Sequence, residues 1–128
     1  MELTRKVKEY LDRAYTFKVN FDEAITKGDI EKASELLWGI FSCYMNALRV
    51  LRTGQPARSH GEIREVGLDL AKALGDERLG KAVKLAERCH SNFYHSFLDF
   101  EDIKECYEAI MYAARKADEF IRKAMSRA

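Results

Sequence analysis

The sequence is poor in residues that interrupt helices and in the signals of common catalytic sites. It has one proline and seven glycines in 128 residues, a composition that suits long helices. It contains no glycine-rich phosphate loop, no nucleophile elbow and no Cys-x-x-Cys pair. These absences remove the usual sequence signals of phosphate-loop enzymes, α/β-hydrolases and zinc ribbons.

The ligand pattern of metal-binding helical bundles is missing as well. On the predicted inward stripes we expect neither the Glu-x-x-His spacing nor the carboxylate pairs that hold a di-metal centre in such bundles. We therefore predict neither a bound metal nor a cofactor.

An excess of one charge and long apolar runs are also lacking. The net charge is +1, so binding to nucleic acid or to a membrane would need a local patch. No apolar run approaches the ~18 residues that span a bilayer. The first residues are charged rather than apolar, unlike those of a signal peptide. The sequence predicts a single cytoplasmic domain covering residues 1–128, with no membrane segment.

Cysteine is scarce, and its arrangement argues against cross-links. Cys43, Cys89 and Cys106 are odd in number and widely spaced, and each falls within a helical pattern. We expect free thiols in a reducing compartment, and neither a disulfide framework nor a zinc site.

What the sequence does contain is a series of apolar stripes with the period of an α-helix. The most apolar segment runs from residue 33 to residue 51 and is apolar on more than one face. Such a helix is buried by neighbouring helices, by a second subunit or by both. Gly39 and Ser42 add a small patch where another helix can approach closely. We predict a central helix with apolar surface left for a partner, around Leu36–Met45, and part of the fourth helix at the same interface.

The remaining stripes predict further helices joined by short connections. Several connections end in a residue that commonly caps a helix N-terminus, and no strand pattern occurs. The sequence therefore predicts an all-α fold, an up-and-down antiparallel bundle of four long helices plus one short helix. The predicted caps are Asp29, Ser59, Asp76 and Asp99.

One polar row on the fourth predicted helix could carry chemistry. Arg88 and His95 are seven residues apart, which is two helical turns, so they share a face with Asn92 between them. In one interpretation Arg88 binds phosphate and His95 is a general acid or base. In the other, the row is a solvated polar face of the helix.

His90 lies on the inward side of the same helix. Its position between Ala86 and Phe93 predicts a structural core histidine rather than a catalyst. We expect its ring to be hydrogen-bonded, to Tyr94 or to a loop carbonyl.

Basic residues also gather around the bend that follows the central helix. In the sequence, Glu62 is the acidic residue that opposes them there. The group is either an anion-binding patch for RNA or nucleotides, or a solvated turn. Its members are Arg49, Arg52, Arg58, His60 and Arg64.

Three short segments resemble those of a known family. They are Glu35-Leu36-Leu37-Trp38-Gly39 in the central helix, Ser59-His60 before the third helix, and His90-Ser91-Asn92-Phe93-Tyr94 in the fourth. In this order they resemble the archaeal paralogous-repeat (PaREP) proteins of the HEPN superfamily. The resemblance implies a HEPN-like helical bundle that forms homodimers, often associated with nucleotidyltransferases or defence systems.

The resemblance also suggests a function. Many members of the superfamily are metal-independent endoribonucleases with an arginine, four to six residues and a histidine, a spacing that Arg88 and His95 satisfy. It therefore implies a homodimer that binds RNA or nucleotides, with ribonuclease activity left open. The alternative is a non-catalytic interaction protein, the helical partner of a nucleotidyltransferase in a toxin–antitoxin-like pair.

Overall fold

A computed structural model of the chain describes residues 2–95 and 99–127, without the side chains of residues 92–95. This part of the chain is all-helical: five α-helices make up 89% of it, and it contains no strand. The all-α prediction is therefore confirmed. The helices are α1 (Glu2–Thr26), α2 (Ile30–Thr53), α3 (His60–Leu74), α4 (Glu77–His95) and α5 (Phe100–Ser126).

The predicted caps are confirmed at all four positions. The Asp29 carboxylate accepts a hydrogen bond from the backbone N–H of Lys32, and Ser59 accepts one from Glu62. The Asp76 carboxylate accepts one from Leu79 at 3.0 Å. Asp99 and Asp102 exchange hydrogen bonds in a capping box. Each cap satisfies an N–H group that has no partner within its own helix.

Helix α2 is the central helix, as predicted, since it contacts each of the other four helices. Its apolar residues on several faces are buried inside the chain itself. Trp38 is 5% exposed and Phe41 1%, and Met45 is fully buried. The expectation that α2 keeps surplus apolar surface for a partner was therefore wrong at these residues. The neighbouring helices already cover them.

Two glycines on the inner faces allow close packing between helices. A Cβ atom at Gly39 would lie 2.9 Å from the ring of Phe17 in α1, so the small patch predicted on α2 does receive another helix. A Cβ atom at Gly67 would lie 2.7 Å from Cγ2 of Val83, where α3 packs on α4. A larger side chain at either position would push the helices apart.

The cysteines differ from the prediction. Cys89 in α4 and Cys106 in α5 form a disulfide, with their Cα atoms 6.3 Å apart, and Cys43 is a buried free thiol. The expectation of free thiols at all three positions was wrong for two of them. Its basis was the odd number, wide spacing and helical context of the cysteines, none of which shows whether two helices bring a particular pair together.

Candidate functional site

Four polar and aromatic residues from three helices meet where α2, α3 and α4 pack together. We call Glu35, Trp38, His60 and His90 the histidine cluster. The rings of His60 and His90 have centroids 4.6 Å apart and lie edge to face. The His90 ring stacks on Trp38 at 4.7 Å, and His60 meets the edge of Trp38 at 5.4 Å. The cluster thus fixes two imidazoles against one another on an indole platform.

The four side chains of the histidine cluster differ in their exposure to solvent. Trp38 is buried, the side chain of His90 is 14% exposed, and that of Glu35 is 37% exposed. His60, the first residue of α3, is exposed. The cluster therefore opens to solvent at His60, with His90 behind it.

The electrostatics of His90 favour a neutral ring. Its Nδ1 lies 3.4 Å from Oε2 of Glu35. Burial lowers the pKa of His90, the Glu35 carboxylate acts against this by favouring the protonated ring, and His60 lowers the pKa further. The net direction is downward, so desolvation and the second imidazole outweigh the carboxylate.

His90 was predicted to be a structural core histidine. Its partly buried ring packs against Trp38 and faces Glu35 and His60, which are contacts that the sequence analysis did not assign to it. The predicted partner Tyr94 has its side chain outside the described residues. His60 was grouped with the basic residues of the bend, and its contacts with Trp38 and His90 are the feature that sequence spacing missed. In the sequence, the only feature that connected Trp38, His60 and His90 was that each lies in one of the three segments that carry the family resemblance.

An ion pair between α3 and α4 lies next to the histidine cluster. The Nε atom of Arg64 lies 3.0 Å from Oε1 of Glu87. Arg64 stands one helical turn after His60, and Glu87 stands one turn before His90, so both side chains are neighbours of the imidazoles. The half-exposed Arg64 guanidinium thus places a cation beside the exposed histidine.

The other arginines of the predicted basic group are partly neutralised. Arg49 and Arg58 both pair with Glu62, at 3.4 Å and 2.8 Å. Hydrogen bonds from Arg58 lower the pKa of Glu62 to about 2. Arg52 is exposed near the end of α2. Because Glu62 opposes two arginines and Glu87 opposes Arg64, the group carries less excess charge than the sequence suggested.

The predicted polar row on α4 is described only in part. Arg88 is exposed. The side chains of Asn92 and His95 lie outside the described residues, so the row stays a prediction. Arg88 precedes His90 by two residues and therefore points to a different side of α4 from the histidine cluster.

The expectation that a Glu-x-x-His pair is missing was wrong, because α4 contains one such spacing. Glu87 and His90 are three residues apart in α4, as in the Glu-x-x-His pairs of metal-binding bundles. Across residues 2–95 and 99–127, however, no group of three or more His, Cys, Asp or Glu side chains is placed to hold a metal ion. In the same part of the chain, no helix is long and apolar enough to cross a membrane.

Fold and cluster together define a small all-helical protein with a paired-histidine site at the junction of three helices. Imidazoles can accept or donate a proton near neutral pH, and a neighbouring guanidinium can bind a phosphate. The family model of the archaeal PaREP1/PaREP8 family matches residues 9–114, and the chain belongs to this family. No curated protein and no solved structure matches the chain.

Proposed function

We propose that the chain is a HEPN-like RNA-binding protein of the cytoplasm, with metal-independent endoribonuclease activity as the chemistry of its site. One observation carries the proposal: an exposed histidine lies beside a second imidazole and one turn from an arginine. The ring centroids of His60 and His90 are 4.6 Å apart, and Arg64 lies four residues after His60 on the same face of α3. Proton-transfer groups next to a phosphate-binding cation are what RNA cleavage without a metal requires.

The proposed architecture is an up-and-down bundle of four long helices plus one short helix, assembled as a homodimer. The homodimer rests on the resemblance to the HEPN superfamily, since Trp38, Phe41 and Met45 of α2 are covered within the chain. Light scattering at micromolar concentration tests it, and a monomer there would overturn the dimer without touching the RNA-binding proposal.

A cytoplasmic location is compatible with the disulfide. Disulfides are rare in the cytoplasm of most organisms, but intracellular proteins of hyperthermophilic archaea are rich in them. In a hyperthermophilic archaeon, a bond such as Cys89–Cys106 would not require an oxidising compartment.

RNA binding is tested by fluorescence anisotropy with a labelled single-stranded RNA over a series of salt concentrations. We expect the double variant Arg58→Gln/Arg64→Gln to bind more weakly, because two cations beside the site are lost. The slope of log K against log salt should fall by about 0.7 for each phosphate contact removed. The matched control is Arg5→Gln/Arg122→Gln, which removes two exposed, ion-paired arginines elsewhere.

Equal binding by wild type and both double variants would argue against a site at α3. A wild-type protein that binds no RNA would overturn the proposal and favour the helical partner of a nucleotidyltransferase. Cleavage by the predicted row is tested separately with Arg88→Ala and His95→Ala in the presence of a chelator. Loss of cleavage in either folded variant would support the row.

A further inference from the structure

We propose that His60 and Arg64 form the catalytic pair, in which His60 moves a proton and Arg64 binds the phosphate of a single-stranded RNA. Glu35 and His90 are positioning residues that hold the His60 ring. This inference rests on the proposed RNA binding, but it assigns the chemistry to the groove between α3 and α4 instead of the Arg88 row.

The position of His60 suits direct contact with a substrate. It is the first residue of α3 and is exposed, so a phosphodiester can reach its ring from solvent. Its ring is nevertheless fixed on two sides, by the edge of Trp38 at 5.4 Å and by His90 at 4.6 Å. These two contacts restrict the rotation of the exposed imidazole before substrate binds, which favours a productive geometry.

Arg64 is well placed to hold the phosphate next to that ring. Residues four apart on a helix have Cβ atoms about 5–6 Å from one another. Side chains lean toward the helix N-terminus, so the Arg64 side chain leans toward His60. One guanidinium nitrogen of Arg64 faces Glu87 at 3.0 Å. A guanidinium has five N–H donors, so this ion pair orients Arg64 and leaves donors for phosphate oxygens.

Glu35 and His90 support His60 from behind. His90 stacks on Trp38 and has its Nδ1 3.4 Å from the Glu35 carboxylate, so its ring is oriented by two contacts from α2. The charged and titratable groups facing His90 are Glu35 from α2, His60 from α3 and Glu87 on α4 itself. On the α5 side, Cys106 is in the disulfide with the neighbouring Cys89 and does not titrate. The His60 ring is therefore backed by a second imidazole whose own orientation is set by α2.

The reaction that fits these groups is an internal transfer within the RNA. His60 takes the proton of a 2′-hydroxyl, and the 2′-oxygen bonds to the adjacent phosphorus. The bond between phosphorus and the 5′-oxygen breaks, and the leaving oxygen takes a proton from water. The products are a 2′,3′-cyclic phosphate and a 5′-hydroxyl, and His60 returns its proton to solvent. Arg64 stabilises the negative charge that develops on the phosphate oxygens.

The experiment measures the rate of cleavage of a labelled single-stranded RNA, with a chelator present, by purified full-length variants checked by circular dichroism. We expect His60→Gln to lower kcat by about 10²–10⁴-fold, the usual contribution of a general acid or base. Arg64→Gln should lower it by about 10²-fold or more, and Arg64→Lys should recover part of the loss. Arg122→Gln, an exposed arginine paired with Asp118, is the matched control and should cleave as wild type does.

The positioning role has its own readout. Glu35→Gln should lower kcat with KM unchanged. A substrate with a single 2′-deoxynucleotide at the cleavage position should stay intact, and the wild-type product should end in a cyclic phosphate.

Each result decides between the two proposals. RNA binding without cleavage in the wild type overturns the His60–Arg64 inference and leaves RNA binding standing. Cleavage that survives His60→Gln and Arg64→Gln but is lost in Arg88→Ala or His95→Ala also overturns it, in favour of the α4 row. A wild-type protein that binds no RNA overturns both the proposed function and this inference.

Discussion

The hydroxyl of Tyr112 in α5 donates a hydrogen bond of 2.6 Å to Oδ2 of Asp76, the residue that caps α4. The other carboxylate oxygen of Asp76 accepts from the backbone N–H of Leu79. One carboxylate therefore caps the N-terminus of α4 and also links the turn between α3 and α4 to α5. The Tyr112 ring is also covered by the guanidinium of Arg78, 3.9 Å from its centroid.

We predict that Tyr112→Phe raises the pKa of Asp76 toward its ordinary value. The hydrogen bond from Tyr112 is the main cause that lowers this pKa in the folded protein. A carboxyl with a lowered folded pKa stabilises the protein above its unfolded pKa and loses that contribution as pH falls. The melting temperature of the variant should be lower than that of wild type at neutral pH, and the difference should vanish in acid.

The measurement is an NMR titration of the Asp76 carboxyl alongside thermal melts at several pH values. Tyr15→Phe is the matched control, since Tyr15 is 71% exposed. An unchanged Asp76 titration in Tyr112→Phe would contradict the prediction.

Gly67→Ala and Gly80→Ala should change stability in opposite directions. A Cβ atom at position 67 would lie 2.7 Å from Val83, whereas the nearest atom to one at position 80 is the Cβ of Ala71 at 3.9 Å. Overpacking at position 67 should cost about 1–3 kcal/mol. The same change at position 80 should stabilise by about 0.5–1 kcal/mol, because alanine is the better helix former. Urea unfolding of both variants measures this, and equal effects would mean that α3 and α4 do not pack as described.

The disulfide should contribute strongly to stability. It closes a sequence separation of 17 residues, for which chain-entropy estimates give about 3 kcal/mol. We expect the double variant Cys89→Ala/Cys106→Ala to unfold at lower denaturant concentration by a corresponding amount. Both sulfurs are buried, so part of the loss comes from packing.

Counting free thiols shows whether Cys89 and Cys106 are joined by a disulfide or only pack against each other. Wild-type protein unfolded without reductant should show one free thiol, from Cys43, and three after reduction. Burial raises the pKa of Cys43 to about 11, so this thiol should react only after unfolding. The control Cys43→Ala should show none before reduction. Three thiols in unreduced wild type would rule the bond out.

His90 should make the protein less stable as pH falls through and below 6.5, the ordinary pKa of histidine. Its pKa is lowered from 6.5, chiefly by burial, so the unfolded chain binds the proton first. Stability therefore decreases with falling pH through this window, by at most about 1.4 kcal/mol per pH unit. His90→Gln should show a shallower dependence in denaturant unfolding at each pH, and Arg122→Gln should keep the wild-type slope. Identical slopes in His90→Gln and wild type would contradict the prediction.

Features that depend on near neighbours in the chain could be predicted from the sequence. The caps at Asp29, Ser59 and Asp99 need only a short polar side chain and a backbone N–H three residues later. The central position of α2 follows from its apolar residues on several faces. These signals are local, so the helices and their order could be read directly.

Features that depend on how helices meet could not be predicted in the same way. Cys89 and Cys106 each lie on an apolar face, but their pairing depends on how α4 and α5 are aligned. The contact of His60 with His90 depends on where the loop before α3 places His60, the first residue of that helix. Seven residues between Arg88 and His95 define a shared face, whereas no spacing rule connects Glu35 in α2 with His90 in α4.

The Cys89–Cys106 bond also makes the connection between α4 and α5 a closed covalent ring. Breaking one peptide bond anywhere in that ring opens it without dividing the molecule, and the two pieces separate only after reduction. His90 is the first residue inside the ring, directly after Cys89. A protease that cuts within the ring beyond His90 therefore leaves this histidine attached to α4, and α4 still tethered to α5.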